Sequence, residues 1–247
     1  MLKLILILLL FSFISPIFSQ TISRPTGATN GILSPQLSMS GQANVLTEPF
    51  EGQHFRVNDD MGGVEGNPFL FSEWKSGEVT LKNGEKYKIE KINLDASRNQ
   101  FIYSIHDTLF DFSDNVQEIK IYKGNQNTEE SSDMIFRSDI NPLAANFVEI
   151  LVKGKITIFR EYNKKPEGEN YSNGIVNNTR KYVLHSNYYS IKGNKAVPIK
   201  FNSSTFDDLT LDKKDQANAF IKKNNLKLKT ESDFLKAVAF YNSLPGN

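Results

Sequence analysis

The side chains best suited to acid–base or metal chemistry are sparse. The three histidines are His54, His106 and His185, and no two stand at metal-ligand spacing. An imidazole can serve as a general base or a ligand near neutral pH. Here His54 falls in an irregular stretch and His106 and His185 fall at strand ends, the setting of turn and surface histidines. His106 is followed by Asp107, yet neighbours along a strand point to opposite faces, so the adjacency argues against a dyad. The carboxylate pairs Asp59-Asp60 and Asp207-Asp208 would divide acid and base roles only if their surroundings differed. Both occupy polar, turn-like stretches. Asp207-Asp208 precedes a helical segment by a few residues, where turn formation or helix-dipole complementarity accounts for it. Gly62-Gly63 with Gly66 follows no strand and opens no helix, so it lacks the setting of a phosphate cradle. No G-x-S-x-G, H-E-x-x-H or EF-hand spacing occurs. The expectation is no catalytic residue, no metal site and no cofactor.

Aromatic residues offer a different chemistry. Trp74, the single tryptophan, closes the run Phe69-Leu70-Phe71-Ser72-Glu73-Trp74. Such a cluster is either a stacking platform for a sugar or peptide, or a plug that closes one end of a β core. The plug is the expected role, and Tyr182, Tyr188 and Tyr189 divide between the same two readings.

The elements that must position these residues are mostly strands. Glu78–Leu81 and Lys86–Ile92 flank Asn83-Gly84, and their alternation predicts a hairpin with a type I′ turn. Gln100–Ile105, Thr108–Phe112 and Glu118–Tyr122 continue the pattern as an antiparallel meander, and Met134–Phe136 adds a short strand. Phe147–Val152 and Lys155–Tyr162 flank Lys153-Gly154 as a second hairpin. Residues 163–178 are charged and turn-rich and read as a long exposed loop. Lys181–Leu184 and Tyr188–Ile191 resume strand character, and Gly193-Asn194 turns the chain into Ala196–Phe201. Pro198 places that last strand at an edge, because it cannot donate to a ladder. The period then changes. Leu211–Lys223 predicts an amphipathic helix ending at Asn224-Asn225, and Thr230 caps a second that carries Phe234, Leu235, Val238 and Tyr241 on one face.

The chain opens as an exported one. Lys3 supplies a positive start, Leu4–Ile14 is apolar apart from Ser12, and Ser15-Pro16 ends the run before Ser19. These features predict a signal peptide over 1–19, with cleavage near Ser19 and delivery to the periplasm, cell surface or medium. The apolar run falls short of the roughly 20 residues of a membrane span, so no span is expected after cleavage. With no cysteine there is no disulfide, thiolate metal site or lipoprotein acylation. Removing Lys3 turns 29 basic against 28 acidic residues into 28 against 28. A neutral chain without a basic face excludes nucleic acid as the expected partner. The organisation expected is an irregular extension over 20–67, an antiparallel β domain over 68–205, and a helical hairpin over 206–247. In that extension Phe50, Phe55 and Val57 are available to pack on the body.

The run Asn67 to Gly84, with its Phe69-Leu70-Phe71, Trp74, Gly77 and Lys82-Asn83-Gly84, resembles the opening of a family of uncharacterised secreted proteins from Bacteroidetes-type bacteria. The similarity continues through Phe147–Lys155, Asp212-Lys213-Lys214, Phe220–Asn224 and Tyr241–Leu244, covering roughly 67–244. The resemblance implies a periplasmic or surface β domain with a helical tail, and brings no catalytic residues with it. Together these readings predict an α+β fold: a curved antiparallel sheet or open barrel-like meander with two C-terminal helices. The expected function is that of a non-enzymatic binding or interaction module with an envelope protein as partner. The alternatives are a carrier of a small apolar ligand in a barrel-like cavity, and a hydrolase built around His106 or His185.

Overall fold

The computed structural model describes residues 43–50, 64–112, 115–123, 133–139, 147–168, 170–172, 175–177, 180–193, 195–210 and 212–245. The signal peptide, His54, Phe55, Val57, Asp59-Asp60 and Gly62-Gly63 lie outside them. The strands are β1 (Asn44–Val45), β2 (Val64–Glu65), β3 (Lys75–Leu81), β4 (Lys86–Asp95), β5 (Gln100–Ile105), β6 (Thr108–Asp111) and β7 (Val116–Ile121). They continue as β8 (Met134–Arg137), β9 (Val148–Val152), β10 (Ile158–Glu167), β11 (Asn170–Ser172), β12 (Ile175–Asn177), β13 (Arg180–Lys192) and β14 (Lys195–Pro198). The helices are α1 (Ser203–Leu209), α2 (Lys214–Lys223) and α3 (Glu231–Ser243).

The fold is α+β, with one open sheet in the order β14-β13-β10-β9-β8-β7-β3-β4-β5-β6. It is mixed rather than purely antiparallel, because β1 pairs in parallel with β4 and β2 with β13. Pro198 lies in β14, at the edge where its missing donor is harmless. The order itself requires curvature. In a flat sheet β6 and β7 would lie four strand spacings apart, roughly 19 Å. The chain from Asp111 to Val116 spans five residues, which reach roughly 18 Å only when fully extended. The β3–β7 half therefore curls, and its concave side is filled by Val79, Ile92, Leu94, Phe101, Tyr103, Phe110, Ile119 and Phe136, all buried. Phe50 covers this core at close range to Tyr87 and Tyr103.

Turn chemistry departs from expectation in two places. Gly84 N–H donates to Leu81 O, and Gly84, not Asn83, has positive φ (89°), which is a type I turn with a glycine bulge. The two-residue turn with positive φ at both positions is His106-Asp107 (48° and 61°), joining Ile105 to Thr108. Its residues are not the usual Asn-Gly, so the sequence does not advertise it.

The stretch 163–178 is not a loop. β10 runs on to Glu167 and pairs with β13 as far as Lys181, and β11 pairs with β12 beyond it. The β10–β13 part of this ribbon is largely solvated on both faces, so it lacks the apolar alternation by which strands are recognised. Pro166 is tolerated in it because its missing N–H faces away from β13. The Lys164 N–H, with the same orientation, donates to Ala96 O at 3.1 Å.

A second core lies between the β9/β10/β13 region and the helices, built from Ile156, Ile158, Phe206, Leu228, Phe234, Ala237, Val238 and Tyr241. Among the described residues there are three helices rather than two: Asn202 caps α1, its side chain accepting from Thr205 N–H at 2.8 Å. Thr230 caps α3 as expected, accepting from Asp233 N–H at 3.2 Å. Asn242 fixes the end of α3 to the β9–β10 turn, accepting from Ile156 N–H at 2.9 Å and donating to Ile156 O at 2.8 Å.

Gly77 marks a close backbone approach. A Cβ there would stand 2.3 Å from Lys120 O in β7. Gly77→Ala should therefore force β3 and β7 apart and cost about 1–3 kcal/mol, read as a fall in the urea midpoint. An unchanged midpoint would contradict the packing.

Candidate functional site

The densest gathering of ionisable groups is built around Arg160, at the inward-facing position of β10 between Ile158 and Tyr162. Its Nε and Nη2 donate to Glu149 Oε2 at 2.9 and 2.6 Å, and its Nη1 donates to both Glu231 oxygens at 3.1 and 3.0 Å. Tyr162 donates to Glu149 Oε2 at 2.7 Å and Tyr188 to Glu231 Oε2 at 2.6 Å. The guanidinium also lies 4.8 Å from the Tyr162 ring centre. Two carboxylates, two phenols and an arginine resemble catalytic equipment, but here they bind one another. Burial works to lower the Arg160 pKa, and the Glu149 carboxylate more than offsets it, so the guanidinium is held charged. The cluster ties α3 to β9, β10 and β13. Sequence reasoning missed it, because its members are 11 and 71 residues apart.

Buried phenols make the fold sensitive to alkali. Burial pushes Tyr103 up to about 12, with the hydrogen bond from Phe50 N–H acting the other way. Tyr162 is also raised, first by burial and then by the adjacent Glu149 carboxylate. Below about pH 10 both folded and unfolded chains keep these protons, and stability is unaffected. Above it the unfolded chain binds fewer protons than the folded one, so stability falls as pH rises towards the folded pKa values. The expected slope is about 1.4 kcal/mol per pH unit for each tyrosine, about 3 for the pair. A spectrophotometric titration should show that Tyr103 and Tyr162 are among those of the nine tyrosines that ionise only as the chain unfolds. Ionisation of all nine near pH 10 with the fold intact would contradict this.

The residues singled out by sequence are not brought together. His106 and Asp107 occupy the exposed β5–β6 turn, where Asp107 accepts from Lys91 Nζ at 2.9 Å. The Lys91 ammonium holds that carboxyl below its usual range. His185 Nε2 meets Glu167 Oε1 at 2.7 Å across the β10–β13 ribbon. The pair is 46% and 49% exposed, on a two-stranded ribbon without the water-excluding cleft that acid–base work exploits. Asp207-Asp208 lies within α1, an additional short helix, and a few residues ahead of α2, whose Lys214 pairs with Asp207 at 2.8 Å. Trp74 does not plug the core: it is 37% exposed, while Leu70 and Phe71 are the members of its run that pack inward. Tyr188 belongs to the Arg160 cluster, and Tyr189 stacks on Phe159 at 5.5 Å. Among the described residues no cluster of three or more potential metal ligands forms, and no helix is long and apolar enough to cross a membrane.

A recess lies between α2 and α3. α3 is apolar over most of its circumference. Phe234, Ala237, Val238 and Tyr241 enter the second core, leaving Ala239 and Phe240 for α2. α2 buries Ala217 and stacks Phe220 on Phe240, with ring centres 4.0 Å apart and planes within 3°. It ends in a Schellman motif: Asn225 N–H donates to Lys222 O, Leu226 N–H to Ile221 O, and Asn225 has φ 51°. The chain thus turns away before the helices close. A groove of about 450 Å³ is left, lined by Phe220, Asn224, Leu226, Lys236, Ala239 and Phe240.

No family model, no curated protein and no solved structure matches the chain.

Proposed function

We propose that the chain is an exported, non-enzymatic binding module of the cell envelope whose binding surface is the α2–α3 groove. One observation carries the reading: the concentrated ionisable groups around Arg160 are occupied by each other, whereas an apolar recess stands open between α2 and α3. The leader-like opening supports export, with a periplasmic or cell-surface site of action. A carrier would need a hollow sheet, and the interior of the curled half is occupied by Phe101, Tyr103, Phe110 and Phe136. A hydrolase would need His185 and Glu167 in a cleft, and they lie on an exposed ribbon.

The test is cross-linking of the mature chain in envelope fractions followed by capture. Recovery of one stoichiometric envelope protein is the expected result. Recovery of a small molecule alone would favour the carrier, and hydrolysis of ester or peptide substrates, lost in His185→Ala, would favour the enzyme.

A further inference from the structure

Resting on that reading, we infer that the α2–α3 groove takes an acidic segment of a partner protein, anchored by one or two apolar side chains. Three observations select this occupant. The recess is apolar in its walls, from the stacked Phe220 and Phe240 to Leu226 and Ala239, and its volume of about 450 Å³ falls within the range of pockets that bury a ligand or an anchoring side chain. Its surroundings are basic. Lys222 and Lys223 form the last turn of α2, Lys227 and Lys229 follow in the connection, and Lys236 lines the groove itself. None of the ion pairs formed among the described residues involves Lys222, Lys223, Lys227, Lys229 or Lys236, so these five lysines can meet a partner's carboxylates. Asp233 is the nearby acid, and its carboxylate accepts Lys227 N–H at 2.8 Å. Third, the site is a recess and not a projecting face. An interfacial membrane helix turns its apolar stripe outward into lipid, whereas α2 turns Ala217 and Ile221 inward onto the second core. A recess lined by Lys236, with Lys222, Lys223, Lys227 and Lys229 near it in the chain, suits a peptide that inserts a ring or a leucine and sets carboxylates against the lysines.

The experiment is selection of random 12-residue peptides displayed on phage against the full chain, followed by fluorescence anisotropy with the synthetic consensus peptide. The expected consensus places Phe, Trp, Leu or Ile among Asp and Glu. Ala239→Arg fills the groove on an exposed, helix-compatible position and should weaken binding at least tenfold. Lys223→Glu with Lys236→Glu should do the same and flatten the salt dependence, with circular dichroism showing each variant folded. Absence of an acidic, apolar consensus would overturn the inference, as would unchanged affinity in Ala239→Arg. So would binding to phosphatidylglycerol vesicles through these residues in place of peptide. If the cross-linked envelope protein is recovered equally by wild type and Ala239→Arg, the inference falls together with the assignment of the surface to the groove, while the reading as an exported binding module stands.

Discussion

Arg160→Met should lower the unfolding free energy by about 3–5 kcal/mol, the cost of leaving a buried charge without its partner. Glu149 is 4% exposed and receives two of its hydrogen bonds from Arg160 and one from Tyr162. With the guanidinium gone, a buried carboxylate keeps only the Tyr162 hydroxyl and faces neither water nor a cation. Glu231 is one-third exposed and can be rehydrated, so the penalty falls mainly on Glu149. Removing both charges is a different case: Glu149→Leu with Arg160→Met replaces the pair by apolar groups and should recover most of the loss. Urea denaturation of the wild type, the two single variants and the double variant measures the cycle. If each single variant is as stable as wild type, the cluster is not the clasp between α3 and the sheet described above.

Phe234→Ala is expected to cost a similar 3–5 kcal/mol, through lost burial and the cavity left behind. Phe234 is fully buried at the centre of a ring cluster, 5.2 Å from Phe201 and 5.9 Å from Phe206. The collar that holds it comes from three places in the chain: the approach to α1, α1 itself and α3. Because the two cores are built from separate residue sets, the damage should be unequal. Amide exchange should accelerate more in α1–α3 than in β3–β7. Equal acceleration throughout would mean that the two cores unfold as one unit.

These two residues also show where the sequence is readable. Strands with one buried face announce themselves: Tyr87 and Ile89 are buried while Lys86, Lys88 and Glu90 are not, which is the alternation that predicts the strand. The Thr230 cap and the edge position of Pro198 follow from local chemistry, and both hold. The β10–β13 ribbon does not announce itself, because solvation of both faces erases the pattern. α1 is missed because seven mostly polar residues carry too little period, so Asp207-Asp208 reads as a turn. Gly77 is needed for a contact with β7, some 40 residues away, which no local rule encodes. Arg160 did leave a trace, as a lone charge at the inward parity between Ile158 and Tyr162. Such a charge demands a buried partner, although only the fold identifies Glu149 and Glu231. The α2–α3 groove was half legible. The apolar positions of both helices are plain, but that Phe220 and Phe240 stack without closing the gap is a matter of packing.

Hydrogen exchange on the full chain, free and bound to the envelope protein recovered by cross-linking, tests the central claim most directly. Slowed exchange is expected over residues 214–226 and 236–243, the two walls of the groove, with the His185–Glu167 ribbon unchanged. Protection on the ribbon or around Trp74, with α2 and α3 exchanging as in the free chain, would contradict it.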